Sequence, residues 1–445
     1  MMEMDSIELT AVGGYSEIGK NMTAVKVGND VVILDMGVDL EPYIKVQDER
    51  EGIEKVSVHE LISIKAIPDD AAIADWKDKV RAIACSHAHL DHVGAVPFLA
   101  GKYHCPILGT QYTVEMIKRI CADNRLKITN KCTRLPLNNS FRVSPETSIE
   151  LLNSQHSLPQ TALVLIKHKS KKIVYANEYK FDPAPIIGSK MNEKELAKLG
   201  PIDVLISDCI YANEPIKMPS ESVVREMIRD VFSTDFGASA VFITTFASHL
   251  ARLKSIVQQG KQTGRKIIVL GRSFQKYIET AEKINLVHFG KDITLYPYGP
   301  QVRKKLKEVA RERHKYIVVL TGHQGEPNAL LARITRDELP FKFRKGDFVI
   351  FCSKVIPTKT NQEARQKLER GLNVLGTNIL DNIHISGHGA REDMRRMITL
   401  LKPRHLVPCH APRERQKHFA DIAFQQGYTS EQVHFLKNGE RVRLV

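Results

Sequence analysis

The string Ser86-His87-Ala88-His89-Leu90-Asp91-His92 limits what this chain can be more than any other stretch of it. With 17 histidines in 445 residues, an HxHxDH run arises by chance in roughly one such chain in a thousand. A fortuitous cluster of surface histidines is therefore set aside. Residues 80–85, just before it, form an apolar run that reads as a buried strand. Positions i and i+2 on extended backbone point the same way, so the imidazoles of His87 and His89 reach one metal ion. Asp91 and His92 follow the turn, where they serve a second ion. Imidazole and carboxylate ligands together suit Zn²⁺, with Mn²⁺ as the alternative.

Two textures surround this string. Runs 7–12, 23–27 and 31–35 are short strands broken by Gly-Gly and Gly-Asn-Asp turns. Residues 149–152, 162–168 and 172–175 continue the β pattern, and 93–102 reads as a helix. After Asp182 the strands 204–207, 240–245, 266–270, 316–321 and 347–351 alternate with helices. Those helices are expected over 222–232, 249–260, 275–284, 302–313 and 361–369. Such alternation predicts a parallel sheet covered on both faces. Short strands at 383–385 and 405–407 complete the pattern. No Pro/Gly/Ser linker separates the textures, so one domain is expected to be inserted into another.

Composition narrows the setting. A hydrophobic fraction of 42% is enough for sizeable cores and excludes disorder over most of the chain. A net charge of +14 and a pI near 9.3 favour a polyanionic partner. Seven cysteines without a CxxC pair read as reduced thiols, with no disulfide framework or zinc ribbon. MMEMDSIELT has neither a basic stretch nor an apolar run, so no signal peptide is expected. No apolar run reaches the ~20 residues of a membrane span. A cytoplasmic protein without a membrane partner is the expectation.

The histidine string is also the signature of the metallo-β-lactamase fold, and the chain resembles that family at each later step. Asp35 ends a strand, like the aspartate that orients a ligand or the metal's water from behind. His156 in Asn153-Ser-Gln-His-Ser-Leu-Pro-Gln160 matches the family's third-motif histidine, and His410 in Val407-Pro-Cys-His-Ala411 its last. A carboxylate bridging both metals is expected after 173–175. Where the family has Asp, this chain has Glu178, and Asp182 is the rival. The inserted segment is similar to the β-CASP nucleases: Asp208 in Leu205-Ile-Ser-Asp208 and His388 in His384-Ile-Ser-Gly-His-Gly389 match two of that subgroup's motifs. His410, a histidine where others carry valine, is the third and is associated with RNA substrates. Gly13-Gly14, Glu17-Ile-Gly-Lys-Asn21, Thr321-Gly-His-Gln-Gly-Glu-Pro327 and Val355-Ile-Pro357 look specifically like ribonuclease J. The chain resembles the shorter archaeal form, so the extra C-terminal domain of the bacterial proteins is not expected.

The resemblance implies an αββα metallo-β-lactamase sandwich with an inserted β-CASP domain. The expected parts are 1–208 and 371–445 for the sandwich and 209–370 for the insertion, with the active site in the cleft between them. It implies a 5′→3′ exoribonuclease acting on single-stranded RNA with 5′-monophosphate ends, in a homodimer. Two Zn²⁺ per chain would be held by His87, His89 and His156 and by Asp91, His92 and His410, with Glu178 between them. Asp91, Asp208 and His388 would be catalytic. Ser248, His249, Ser386, Gly387, His388 and Gly389 would take the RNA and its 5′-phosphate, since hydroxyls and backbone N–H groups at helix starts bind phosphate. The reading of Ser248 and Ser386 as ordinary helix caps stays open.

Other signals carry less. Gly14-x-x-x-x-Gly19-Lys20 nearly makes a phosphate-binding loop, but Asn21 replaces the Ser/Thr and a strand follows. His59-Glu60 lacks a second histidine at i+4. The cations Arg303, Lys304, Lys305, Lys307, Arg311 and Arg313 read first as a solvated helix face and second as an RNA track. Arg391, Arg395 and Arg396, one turn after His388, read as substrate contacts. The alternatives kept are an RNA endonuclease of the polyadenylation-factor type, a small-ester hydrolase on the same core, and a non-catalytic RNA-binding relative.

Overall fold

Alternate residues of the first strands pack to opposite sides, and this decides how the chain layers. In the computed structural model, which describes residues 6–49, 56–356 and 358–444, Ile7, Leu9 and Ala11 face one core. Ala24, Val31 and Ile33 of the neighbouring strands face another. The first five residues and Pro357, both used in the sequence reading, lie outside the described residues.

Two compact units result. The first runs to Phe181 and takes up Gly188–Met218 and the chain from Gly387 onward. It holds a seven-stranded sheet in the order Arg441–Arg443, Ile7–Gly13, Met22–Val27, Asp30–Leu34, Val80–Ala84, Ile107–Gly109, Cys132–Arg134. Its second sheet has six strands, in the order His405–Cys409, Val204–Asp208, Lys171–Ala176, Ala162–His168, Thr147–Asn153, Asn139–Arg142. Val25, Val32 and Ala82 of one sheet meet Leu151, Val164 and Ile206 of the other in a shared core. The outer face of the first sheet packs on helix Gln111–Asp123 through Ile117 and Ile120. The outer face of the second buries Leu163, Leu165 and Leu205 against Met397, Leu401 and Phe419 of helices Arg391–Leu401 and Arg413–Gln425. The layers are therefore helix, sheet, sheet, helix.

The second unit comprises Asp182–Ile187 and Pro219–Ser386. Its six strands are all parallel, in the order Ile293–Tyr296, Lys266–Leu270, Tyr316–Leu320, Val241–Thr244, Phe348–Phe351, Asn378–Leu380. Helix Glu221–Phe232 precedes the first of them in sequence, and helices such as Leu250–Gly260, Arg272–Lys283 and Gly299–Arg311 lie between them. This is the inserted sheet-and-helix part that strand–helix alternation predicts, except that the expected strand 204–207 belongs to the second sheet of the first unit, between Lys171–Ala176 and His405–Cys409. The sequence reading divided the chain after 208 and 370, whereas the units divide at Pro219 and Ser386. Residues beyond Asp208 stay with the first unit because Tyr211 bridges Ala390 and the Met218 N–H donates to Asp393. Residues beyond 370 stay with the second because helix Lys359–Val374 and strand Asn378–Leu380 close its sheet.

Two local expectations are corrected. The helix expected over 93–102 is broken into Leu90–Val93, Val96–Leu99 and a 3₁₀ turn at Ala100–Lys102. Gly94 ends the first piece and Pro97 starts the second. Residues 383–385 form no strand. The carbonyls of Ile383 and Ile385 instead accept from the buried guanidinium of Arg252. Among the described residues no helix is long and apolar enough to cross a membrane.

Candidate metal centre

The centre forms where strands of both sheets of the first unit end. Strand Val80–Ala84 delivers the histidine string, and strand Asp30–Leu34 delivers Asp35 beside it. Asp35 is wholly buried, at φ +60°. Its carboxylate accepts from the Ser86 N–H at 2.7 Å and the Ser86 hydroxyl at 2.8 Å, and meets His92 Nδ1 at 2.7 Å. The Ser86 oxygen in turn accepts from His87 Nδ1 at 3.0 Å. Asp35 thus fixes the protons of two imidazoles on Nδ1, leaving both Nε2 lone pairs for the centre.

Glu178 arrives from the other sheet, two residues after strand Lys171–Ala176, at φ +77°. Its Oε2 lies 2.7 Å from His87 Nε2, 2.8 Å from His156 Nε2 and 3.4 Å from His89 Nδ1. Its Oε1 lies 2.9 Å from His92 Nε2 and 3.2 Å from His410 Nε2. One carboxylate therefore turns one oxygen to each of two groups. These are His87, His89 and His156 on one side and Asp91, His92 and His410 on the other; within each, the donor atoms, including Glu178's, all lie within 4.8 Å of one another. Asp91 Oδ2 stands 3.5 Å from His92 Nε2 and 4.0 Å from His410 Nε2. His410 also sits at positive φ, +54°. Three site residues held in a sparsely populated backbone region are the strain expected where packing imposes function.

The electrostatics favour cations. Burial pushes the Glu178 carboxyl up, but the surrounding imidazoles outweigh it and hold it well below its usual range. Burial pushes His92 down, yet Glu178, Asp91 and Asp35 drive it well above normal. Imidazoles and carboxylates converging in a closed space are the ligands a divalent metal takes. The residues fit such a site.

Asp182, the rival carboxylate, is engaged elsewhere. It accepts from the Ser220 hydroxyl at 2.5 Å and from the Glu221 and Ala184 N–H groups at 2.9 Å each, tying down the start of helix Glu221–Phe232.

His388 stands over the two groups. Its ring stacks on His410 at 5.7 Å with 10° between planes and meets His156 edge-on at 4.8 Å. Its Nδ1 pairs with Asp208 Oδ2 at 2.8 Å. Burial lowers the pKa of His388, but Asp208 and Glu178 outweigh it and raise the imidazole to about 9. The neighbouring glycines make close packing possible. A Cβ on Gly387 would come within 2.8 Å of His156 Nδ1, and the Gly389 N–H donates to the Tyr179 carbonyl at 2.5 Å.

Profiles of known families divide the chain in the same sense. One described as "Ribonuclease J, beta-CASP domain" matches residues 238–370. "Beta-lactamase superfamily domain" matches 66–239, and "Zn-dependent metallo-hydrolase RNA specificity domain" matches 376–434. Ribonuclease J of Methanocaldococcus jannaschii is 37% identical over 440 residues, covering 98% of both chains. Ribonuclease J of Pyrococcus abyssi is 37% identical over 449 residues, covering 99% of this chain and 98% of its own. The chain belongs to the ribonuclease J family. Ribonuclease J 1 of Streptococcus pyogenes is 29% identical, and only 75% of that longer protein is covered. A crystal structure of an Enterococcus faecalis protein of unknown function shares the fold, with a TM-score of 0.63 over 99% of this chain and all of that one, at 17% identity.

Several residues in this ribonuclease J family member escaped the sequence reading as working parts of the site. Asn21, read only as part of a motif string, donates through Nδ2 to the Asp91 carbonyl at 3.0 Å. Its Oδ1 accepts from His410 Nδ1 at 3.0 Å and from Asn177 Nδ2 at 3.1 Å. It therefore holds the ring of His410 in place, together with the Gly19 N–H at 3.4 Å from the same Nδ1. A Cβ on Gly37 would sit 1.6 Å from the Asp91 carbonyl oxygen, so only glycine lets that backbone pass. The loop from Gly14 to Lys20 cradles His410, whose N–H donates to the Gly14 carbonyl at 2.7 Å.

In the second unit, His249 caps helix Leu250–Gly260, its Nδ1 accepting from the Arg252 N–H at 3.2 Å. Arg252 Nη2 also reaches the Ile385 carbonyl at 3.1 Å, next to Ser386. The segments bearing Ser248-His249 and Ser386 thus share one buried guanidinium.

Proposed function

We propose that this metal-dependent ribonuclease hydrolyses single-stranded RNA from its 5′ end, one nucleotide per cycle, and prefers a 5′-monophosphate. The carrying observation is Glu178, which turns one oxygen to each of two ligand groups beneath the His388–Asp208 pair. Two Zn²⁺ are the proposed ions. His87, His89 and His156 would hold one, Asp91, His92 and His410 the other, and Glu178 both. When bound, two such ions lower the pKa of a shared water and neutralise the charge that grows on the phosphate oxygens.

The remaining chemistry belongs to the chain. Asp35 keeps the Nε2 lone pairs of His87 and His92 directed inward, and Asn21 holds the ring of His410. With Nδ1 of His388 held by Asp208, its Nε2 proton is the one available to the departing 3′-oxygen, and the Asp208 charge stabilises the imidazolium. Ser248, His249, Ser386, Gly387, His388 and Gly389 are the proposed groups for the terminal phosphate. Such a pocket admits a monophosphate and rejects a triphosphate by size. A homodimer working in the cytoplasm is proposed on the family resemblance alone.

Digestion of 5′-end-labelled RNA carrying a monophosphate or triphosphate, with added Zn²⁺ or Mn²⁺, tests this. Immediate release of labelled mononucleotide from the monophosphate is expected. Labelled fragments of intermediate length would replace the proposal with the endonuclease reading.

A further inference from the structure

The charge of this chain is concentrated in one segment. Residues 241–345 carry 21 Lys and Arg against 8 Asp and Glu, a net of +13, while all other residues carry 44 against 43. The whole segment belongs to the second unit. Within it, helix Gly299–Arg311 buries Val302, Leu306 and Val309 against the sheet. At 100° per residue, Lys304, Lys307 and Arg311 fall on the side opposite that buried face, with Arg303 at its edge, and all four are exposed. Lys305 and Glu308, at its flank, pair with each other. Lys304, Lys307 and Arg311 have no ion-pair partner among the described residues, and Glu308, the one carboxylate beside them on the helix, is taken up by Lys305 and the Tyr316 hydroxyl. Past the helix, His314 and Lys315 lead into a hollow of about 720 Å³ that Arg265, Lys266 and Asp235 also line, where the Arg265 guanidinium lies over the Phe236 ring and Lys315 pairs with Glu312.

A solvated helix face is normally laced with both signs of charge. Unpaired cations along a helix whose one neighbouring carboxylate is already engaged, continuing into a hollow with further cations, suit a single-stranded nucleic acid, since cations follow its backbone. From Arg303 to Arg311 the stripe spans about 12 Å at 1.5 Å per residue. We propose that the exposed face of helix Gly299–Arg311, with the cavity at its end, is a second RNA-docking surface, separate from the groups that take the terminal phosphate. It holds the body of a long substrate by its phosphates, without sequence preference. The inference rests on the ribonuclease reading and adds to it a dependence on substrate length.

The test compares the unsubstituted protein with a Lys304→Ser/Lys307→Ser/Arg311→Ser variant. The substrates are a 5′-monophosphorylated 30-nucleotide RNA and a tetranucleotide with the same 5′ sequence. On the long RNA, KM should rise about tenfold or more at low salt, with kcat unchanged; on the tetranucleotide neither should move. Anisotropy of the labelled 30-mer, measured in EDTA, should show the slope of log K against log salt falling by about 2, since each single-strand phosphate contact contributes ~0.7. A charge-preserving Lys304→Arg/Lys307→Arg/Arg311→Lys variant should behave like the unsubstituted protein. Unchanged KM and salt slope would overturn the proposal and assign the stripe to a protein partner or to solvent. An equal loss on both substrates would overturn it too, since the change would then act on the catalytic machinery. If the unsubstituted protein cleaves neither RNA, the ribonuclease reading fails, and the anisotropy alone decides the docking surface.

Discussion

The guanidinium of Arg252, with none of its surface exposed, donates through Nε and Nη2 to the two oxygens of Glu221 at 2.6 and 2.8 Å. Its Nη1 donates to the Cys352 carbonyl at 2.6 Å, and its Nη2 to that of Ile385. One side chain thereby supplies hydrogen bonds that residues 383–385 would otherwise take from a strand partner. Replacing Arg252 with Met leaves the buried Glu221 with only His249 Nε2, at 3.7 Å, in place of a two-point pair and should cost about 3–5 kcal/mol. Urea denaturation measures this, and Arg252→Met/Glu221→Gln should recover part of the loss. A double variant no more stable than Arg252→Met would show that the pair itself is not what matters.

Glu178 and Asp182 make a second comparison. Glu178→Ala should lose bound metal by elemental analysis and activity by orders of magnitude, with Glu178→Asp retaining more. Asp182→Ala should keep its metal and lose about 1 kcal/mol of stability, the usual worth of a helix-start cap. The assignment fails if Asp182→Ala loses metal while Glu178→Ala keeps it.

His388→Ala should lower kcat by ~10²–10⁴, the range for a positioned general acid. Metal content and RNA affinity should change little. Loss of metal in this variant would make His388 a ligand instead of a proton donor.

Ser386→Ala should narrow the preference for 5′-monophosphate over 5′-hydroxyl RNA roughly tenfold at low salt, since a hydrogen bond to a charged group contributes ~1.5–3 kcal/mol. The effect should shrink as salt rises. An unchanged preference would remove Ser386 from the phosphate-binding group.

His323 sets a pH dependence of stability. Its ring lies 4.0 Å from that of Phe246, with both nitrogens buried and lacking hydrogen-bond partners. Burial, helped by the Arg365 charge, pushes its pKa down to about 3. The unfolded chain, with a histidine pKa of ~6.5, binds a proton that the folded chain refuses between those values. Stability should therefore fall as pH drops from about 6.5 towards 3, by up to about 5 kcal/mol from this residue. Urea midpoints across that range for His323→Leu should show a smaller fall than for the unsubstituted protein. Parallel curves would refute the assignment.

What the sequence determined by itself lies where information is contiguous. The run His87 to His92 names candidate ligands, because neighbouring residues after a strand cannot help sharing a site. Strand–helix alternation after Asp182 settled the parallel sheet, since period and connection length dictate strand direction. His156, Glu178 and His410 could be named only through the order of motifs along a family resemblance. Nothing local marks a lone histidine as facing a metal.

Tertiary structure decided the rest, because the deciding partners are far apart in the chain. Choosing Glu178 over Asp182 required seeing which carboxylate meets imidazoles from positions 87 to 410 and which one starts a helix. Asn21 acts on His410 and on the Asp91 backbone, neither of which its own neighbourhood reveals. Residues 383–385 carry an apolar pattern that reads as a strand, yet a buried arginine more than 130 positions earlier takes their carbonyls. Backbone polar groups accept whichever satisfied arrangement the whole fold offers, and a local pattern reports only their preference in its absence.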